Sequence, residues 1–312
     1  MGRLDTRTIC SVSSPWAKLI FCLLLFFPQL SIFSGCRLAG KHGMLPDSLS
    51  QCRKLSQQGL AAIEAQRWDE AEKLTSKALK ACPNDMDAKR YYAEALWHRG
   101  KRAKAIVQLR AVAENTGSDA APRVRLSEML LEVGQLKEAR RHAEVAIDLD
   151  PNVASTWAVR ARVSARMGLL EQALADYQRS LAYGPEDRDV LLGMAEVYRE
   201  LNKPPEALAV LNRLADTYSL EGTPKNVIHL QGLALAAQGR FSAAAESYGK
   251  VVAIEGATAD NYFELANAQW QSGQHNKAAM AAHQALSLDP LHSRSRELLN
   301  RMQASLPTRV RR

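Results

Sequence analysis

The strongest constraint on the fold is a 34-residue period that runs through most of the chain. Glycine recurs at this spacing in two series, Gly100, Gly134 and Gly168, then Gly239 and Gly273. Alanine keeps the period at five successive positions, Ala71, Ala105, Ala139, Ala173 and Ala207. A three-residue insertion near residues 222–224 restores the register with Ala244 and Ala278. A fixed period of this length predicts stacked copies of one supersecondary unit.

Each unit has the pattern of two short helices. In the fourth unit, Ala173, Tyr177 and Leu181 recur at helical spacing. Gly168 can adopt the left-handed conformation that closes a first helix, and Pro185, which lacks a backbone N–H, ends a second one. Two short helices cannot bury their apolar faces alone, so neighbouring units must stack.

The period and these residue types resemble the tetratricopeptide repeat. The resemblance covers seven consecutive units over residues 52–292. It implies an all-α solenoid of about seven helix–turn–helix repeats that forms a right-handed superhelix with a concave groove. The fifth unit departs from the pattern, because Asn202 replaces the turn glycine. Residues 293–306 are expected to form a C-terminal capping helix, and residues 307–312 a basic tail.

The first 35 residues have the features of a targeting signal. The apolar run 19–33 has fifteen residues, whereas a membrane-spanning helix needs about 20. The sequence Ser34-Gly35-Cys36 that follows resembles the bacterial lipoprotein signal, which implies acylation of Cys36, cleavage just before it, and a tether over residues 37–51. An uncleaved signal anchor and ordinary cleavage nearby, giving a secreted protein, are the alternatives. Each of these three interpretations places the repeat array outside the cytoplasm or on a membrane.

The resemblance also implies that the first helix of each repeat lines the groove. The groove residues predicted on this basis are Arg90, Glu94, Trp97, Glu128, Arg162, Arg166, Glu196, Arg199, Phe263, Asn267 and Trp270. Their charges alternate in blocks, with an aromatic residue expected to be exposed near each end. This composition suits an extended peptide or a protein surface, with aromatic anchors and charges that set the register. The alternative is that Trp97 and Trp270 pack against neighbouring helices.

Cys52 and Cys82 lie near opposite ends of the two helices predicted for the first repeat. Because those helices are antiparallel, the two cysteines should approach each other. A disulfide between them is one prediction for an oxidising compartment. The alternative is two unconnected small residues.

The chain carries no recognisable catalytic motif, and its seven histidines are scattered. The formal charge is +8, and removal of the predicted signal, with three basic residues and one acidic residue, would leave (41−3)−(33−1) = +6. This moderately basic charge argues against a dedicated nucleic-acid binder. We therefore expect a non-catalytic scaffold on the periplasmic face of a bacterial membrane, in an envelope-assembly or adaptor role. It would bind protein or peptide partners and use no cofactor or metal. The alternative is an accessory that recruits substrates for a separate enzyme, resembling the repeat arm of O-linked N-acetylglucosamine transferases without the catalytic domain.

Overall fold

The computed structural model describes residues 47–218 and 222–305, and the regular secondary structure within these ranges is entirely α-helical. The helices are α1 (Asp47–Glu64), α2 (Trp68–Ala81), α3 (Met86–His98), α4 (Arg102–Asn115), α5 (Ala121–Glu132), α6 (Leu136–Leu149), α7 (Ala154–Arg166), α8 (Leu170–Tyr183), α9 (Arg188–Glu200), α10 (Pro204–Asp216), α11 (Lys225–Ala237), α12 (Phe241–Ala253), α13 (Ala259–Gln271), α14 (His275–Leu288) and α15 (Ser293–Ser305). The all-α prediction is confirmed. None of these helices, in the described ranges, has the length and apolarity to cross a bilayer.

Several predicted segments cannot be compared with this structure. The predicted signal over residues 1–35, the acylation site Cys36 and the basic tail 307–312 lie outside the described residues. The same holds for residues 37–46 of the predicted tether.

Successive helices pack as pairs, and each pair corresponds to one unit of the sequence period. α1 packs on α2, α3 on α4, and so on to α13 on α14, while each second helix also packs on the next first helix. We number these pairs repeats 1 to 7, and α15 packs on α14 after them. Helices α7 and α9 begin 34 residues apart, whereas α11 begins 37 residues after α9. The extra residues therefore lengthen the connection between α10 and α11.

The first helix begins earlier than predicted. The predicted tether covers residues 37–51, but α1 begins at Asp47. No glycine or proline occurs between Asp47 and Gly59, so this stretch contains no strong helix breaker. The tether prediction is wrong for residues 47–51, which extend α1 at its N-terminus.

The turn between the two helices of a repeat requires left-handed backbone. Gly100 and Gly168 have φ values of 75° and 76°, which glycine adopts without a steric penalty. Gln66 in repeat 1 and Asn202 in repeat 5 occupy the equivalent turn with φ values of 55° and 54°. Asparagine tolerates this region better than most residues, whereas glutamine gains no such local benefit. Repeats 1 and 5 therefore contain strained turns where other repeats have glycine.

Close packing between helices depends on small residues facing large ones. A Cβ atom added to Gly232 in α11 would lie 2.6 Å from Cε1 of Tyr248 in α12. Gly193 in α9 meets the Tyr177 ring of α8 in the same way. At the C-terminal end, Leu298 and Met302 of α15 are buried in the cluster that includes repeat 7. The capping helix thus covers apolar surface that the last repeat would otherwise expose.

Candidate functional site

The first helix of each repeat lies on the inner side of the array. α1 contacts α3, α5 contacts α7, and α7 contacts α9, so first helices of neighbouring repeats approach one another. No two second helices make comparable contact within residues 47–218 and 222–305. In a curved stack the elements that lie closer together are those at the smaller radius. The predicted groove residues therefore belong to helices of the concave face.

An ion-pair chain joins three repeats along this face. Arg125 of α5 donates from Nε and Nη2 to the two carboxylate oxygens of Glu94 in α3, at 2.7 and 2.8 Å. It also pairs with Glu128 on its own helix at 3.2 Å. Glu128 accepts a further hydrogen bond from Arg162 Nη2 of α7 at 2.7 Å. We call Glu94, Arg125, Glu128 and Arg162 the ion-pair chain.

The ion-pair chain uses charges that the sequence analysis assigned to partner recognition. Burial acts to lower the pKa of Arg125, but its hydrogen bonds and its attraction to Glu94 and Glu128 outweigh this and raise the pKa. A ligand that bound these carboxylates would first have to replace existing ion pairs. The ion-pair chain therefore connects repeats 2, 3 and 4 to one another.

Arg125 is a residue of the concave face that the sequence analysis missed. The sequence contained one signal for this residue: Arg125 precedes Glu128 by three residues, and residues at this spacing are neighbours on a helix surface. Its main partner, Glu94, is 31 residues away and belongs to another repeat. The sequence spacing alone did not reveal that contact.

Trp97 is buried and is not an exposed anchor. Its exposed fraction is 8%, and it belongs to a core cluster that includes Ile106 and Met129. The guanidinium carbon of Arg102 lies 5.3 Å from the centroid of its ring. Trp97 occupies the last turn of α3, where the chain turns into α4 and a large apolar ring gains most by packing inward. The prediction of an exposed aromatic at this end is wrong, and the packing alternative is correct.

The aromatic residues predicted at the other end are half-buried. The guanidinium carbon of Arg294, from α15, lies 4.5 Å from the Phe263 ring centroid, and the His292 ring lies 5.8 Å away. Trp270 packs edge-on against His275, with ring centroids 4.4 Å apart. Both rings are thus partly covered by the chain itself, and only part of each surface is open.

Four predicted groove residues keep unpaired side chains. Arg166, Glu196 and Arg199 are exposed, and Asn267 is half-buried. In the part of the chain that the structure describes, none of these side chains forms an ion pair or a hydrogen bond. Arg90, in contrast, belongs to an ion pair within its own helix. We call Arg166, Glu196, Arg199 and Asn267 the unpaired groove residues, and they lie in repeats 4, 5 and 7.

A small apolar pocket, which the sequence analysis did not predict, lies between repeats 5 and 6. Its volume is about 120 Å³, and α9, α10, α11 and the turn after α9 enclose it. Leu211, Leu230 and Leu233 are among its apolar lining residues, and Arg199 and Asn202 are its polar ones. Because the lining residues come from three helices, no single segment of the sequence marks the pocket.

The two cysteines of repeat 1 are in contact but not bonded. Cys52 is fully buried, and its thiol donates to Asp85 Oδ2 at 3.2 Å. Burial, a hydrogen bond with the Cys82 side chain and the nearby Asp85 carboxylate raise the pKa of Cys52 to about 12. The ends of the two helices therefore approach each other as the sequence indicated, and the disulfide stays a prediction.

Within the described residues, no three His, Cys, Asp or Glu side chains are grouped as metal ligands.

Family models described as "Tetratricopeptide repeat" match residues 56–123, 164–219 and 259–290. These matches fall on repeats that the helix pairs define independently.

Similar proteins include one curated sequence and several solved structures. Hsp70-Hsp90 organizing protein 1 of Glycine max is 22% identical over 207 residues, which are 64% of this chain and 32% of that protein. The match therefore spans about a third of the curated relative. The structure of YrrB, described as a TPR protein with an unusual peptide-binding site, is 21% identical, with a TM-score of 0.55 over 61% of this chain and 96% of that one. The structure of PilW, described as a widely conserved type IV pilus biogenesis factor, is 19% identical, with a TM-score of 0.60 over 65% of this chain and 92% of that one.

At these identities the solved structures establish the likeness of the fold. The family matches cover the first, middle and last parts of the array, and the same helix pairing continues between them. The chain is thus a tetratricopeptide-repeat protein with an all-α solenoid fold.

Proposed function

We propose that this protein is a non-catalytic scaffold that holds a protein partner on its concave face and is attached to the extracytoplasmic side of a bacterial membrane through acylated Cys36. The solenoid fold and its relatives support a role in protein–protein interaction. The observation that carries the proposal is the set of unpaired groove residues, whose side chains on the first helices form no ion pair or hydrogen bond with the described residues.

The two halves of the concave face have different roles in this proposal. In repeats 2 to 4, the ion-pair chain connects the first helices of neighbouring repeats, and its charges are already paired. In repeats 4 to 7, the unpaired groove residues and the partly open rings of Phe263 and Trp270 are available to a partner.

The proposed anchor rests on the sequence before the array. A fifteen-residue apolar run followed by Ser34-Gly35-Cys36 supports lipid attachment, which would place all seven repeats on the same side of the membrane. The likeness of fold to PilW, a type IV pilus biogenesis factor, is the basis for proposing a role in envelope assembly.

Site-specific photo-crosslinking in the native cell tests the binding face. The photoreactive residue replaces Glu196 or Asn267, because neither side chain forms a hydrogen bond or an ion pair in the described chain. Lys250 on α12 serves as the exposed control outside the first helices. We expect one protein, or a small set, to be captured from the two groove positions and not from Lys250. Equal capture at all three positions, or capture at Lys250 alone, would refute the concave face as the working surface.

The anchor requires a separate test. Cells grown with a labelled fatty acid should incorporate label into the wild-type protein and lose it in Cys36→Ala. The matched control is Cys22→Ala, within the predicted signal. An intact N-terminal methionine in the mass spectrum of the purified protein, without label, would contradict the proposed lipid attachment.

A further inference from the structure

A second pocket, lined by charged side chains, lies where repeats 3, 4 and 5 meet. Its volume is about 190 Å³, whereas pockets for cofactors and drug-sized ligands have volumes of about 300–1,000 Å³. We call it the acidic pocket, and the polar groups that define it belong to Glu128, Arg162, Tyr177, Asp187 and Asp189. A pocket of this size suits one side chain of a larger ligand.

The uncompensated charge of the acidic pocket is negative. Arg162 Nη2 donates to Glu128 at 2.7 Å, so these two charges offset each other. Asp187 caps α9, where its Oδ1 accepts from the backbone N–H groups of Asp189 and Val190 at 3.0 and 3.1 Å. These N–H groups are therefore occupied and do not offer a site for an anion. The side chain of Asp189 forms no hydrogen bond or ion pair in the described chain, so the pocket complements a cation.

A buried hydroxyl group favours the same kind of ligand. Tyr177 of α8 is 2% exposed and lines the acidic pocket. Its hydroxyl forms no hydrogen bond with the described residues. Burial raises the pKa of Tyr177 to about 12, so the phenol is uncharged at neutral pH. A buried hydroxyl without a partner costs free energy, and a ligand that donates to its oxygen removes part of that cost.

Gly193 of α9 makes room for this hydroxyl. A Cβ atom added to Gly193 would overlap with the hydroxyl oxygen of Tyr177. Gly193 is the sixth residue of α9, whereas the sixth residues of α7 and α11 are Val159 and Leu230. The phenol of repeat 4 therefore reaches the first helix of repeat 5 at a position where the neighbouring repeats carry a branched side chain.

The apolar part of the lining decides which cation fits. Ala158 and Val190 are 7% and 2% exposed, whereas Asp189 is exposed. The occupant therefore needs an apolar stem as well as a charge. Lysine has a stem of four carbons and an ammonium whose three donors can turn to separate acceptors. An N-terminal ammonium has no such stem, and the planar fork of arginine suits the two oxygens of one carboxylate.

We propose that the acidic pocket binds a lysine side chain of the partner polypeptide, whose ammonium pairs with Asp189 and donates to the hydroxyl oxygen of Tyr177. The methylene groups of the lysine contact Ala158 and Val190. Glu128 and Arg162 keep each other as partners, so the ion-pair chain stays intact. This inference rests on the proposed function, because it assigns one residue type to the segment that the concave face holds.

Titrations followed by ligand-observed saturation-transfer NMR test the choice of lysine on the full-length protein in detergent. The probe is acetyl-Gly-Ser-Lys-Ser-Gly amide, and we expect the strongest saturation at the methylene groups of its lysine. The same peptide with norleucine, which keeps the stem and lacks the charge, should bind at least about tenfold more weakly. Equal binding of the norleucine peptide, of an arginine peptide, or of a norleucine peptide with a free N-terminus would overturn the proposal. Absence of saturation in the lysine peptide would also overturn it.

Two conservative variants test the acceptors. Asp189→Asn should weaken lysine-peptide binding about tenfold or more. Tyr177→Phe removes only the hydroxyl and should weaken binding about fivefold, while the midpoint of urea unfolding should not fall, because a buried hydroxyl without a partner is lost. A purely structural role of Tyr177 would instead lower that midpoint.

The matched control is Glu246→Gln on α12. Glu246 is exposed, lies outside the first helices, and forms no hydrogen bond or ion pair in the described chain. Its substitution should leave the affinity for the lysine peptide unchanged. Unchanged affinity in Asp189→Asn or Tyr177→Phe, or a loss in Glu246→Gln equal to that in Asp189→Asn, would overturn the proposal.

The cellular crosslinking experiment separates this inference from the proposed function. If the Asn267 position captures the same partner with equal yield in Asp189→Asn and in the otherwise wild-type protein, the scaffold stands and the pocket inference fails. If the groove positions of the wild type capture nothing, the scaffold proposal fails, and the peptide titrations still decide whether the acidic pocket binds lysine.

Discussion

Asp176 of α8 allows a quantitative test of how repeat 4 is held together. The residue is 2% exposed, and its carboxylate accepts hydrogen bonds from Arg160 Nε and Nη2 of α7 at 2.8 and 2.7 Å. These hydrogen bonds raise the pKa of Arg160. The guanidinium carbons of Arg160 and Arg179 lie 5.2 and 4.6 Å from the ring centroid of Trp157. The ion pair therefore connects the two helices of repeat 4 at a buried position beside an aromatic ring.

The substitution Asp176→Ala should lower the free energy of unfolding by about 3 kcal/mol. Removing one partner of a buried ion pair costs about 3–5 kcal/mol, because the remaining charge is left without a partner. We expect the lower end of this range because the Arg160 side chain keeps 20% exposure and can partly reach water. The double substitution Arg160→Met with Asp176→Leu should recover most of the loss, since it removes both charges and keeps the volume apolar.

Urea unfolding followed by far-UV circular dichroism measures this difference. Tryptophan fluorescence serves as a second probe, because repeat arrays can unfold in more than one step. The matched control is Glu297→Ala, which breaks the exposed Arg301–Glu297 pair at 2.7 Å and should cost less than about 0.5 kcal/mol. Equal losses in Asp176→Ala and Glu297→Ala would refute the argument that burial makes the first pair important.

Three further predictions concern single sites. Replacing Gln66, which has φ 55°, by glycine should raise the free energy of unfolding by about 0.5–1 kcal/mol in urea titrations, and destabilisation would contradict the steric argument. Burial and the nearby positive charge of Arg123 lower the pKa of His142. The unfolded chain therefore takes up a proton first, so stability should fall as pH drops below about 6.5, and His142→Gln should show a smaller dependence. Under oxidising conditions, Cys52 and Cys82 should form a disulfide that adds about 3–4 kcal/mol by closing a loop of about 30 residues, and a melting temperature that does not respond to reductant would contradict this.

The sequence by itself determined the architecture, because each repeat encodes its own helices and turns locally. Glycine at a 34-residue spacing marks the left-handed turn, and Gly100 and Gly168 have the positive φ that this requires. Leu298 and Met302 could be assigned to the cover of the last repeat because an array must close its final apolar face. These features depend on helical periodicity and backbone sterics within a few residues of one another.

The candidate site depends on contacts between repeats, which only the tertiary structure decided. Arg125 and Glu94 are 31 residues apart, and their pairing depends on how two neighbouring first helices are spaced and rotated. The position of Trp97 in the sequence pattern of α3 is compatible with an exposed side chain, yet the side chain is buried in the core formed with neighbouring helices. The pocket beside Arg199 exists because three helices leave a gap that none of their sequences specifies alone. Local patterns set which residues form helices, whereas the long-range packing of those helices sets which side chains are paired, buried or available to a partner.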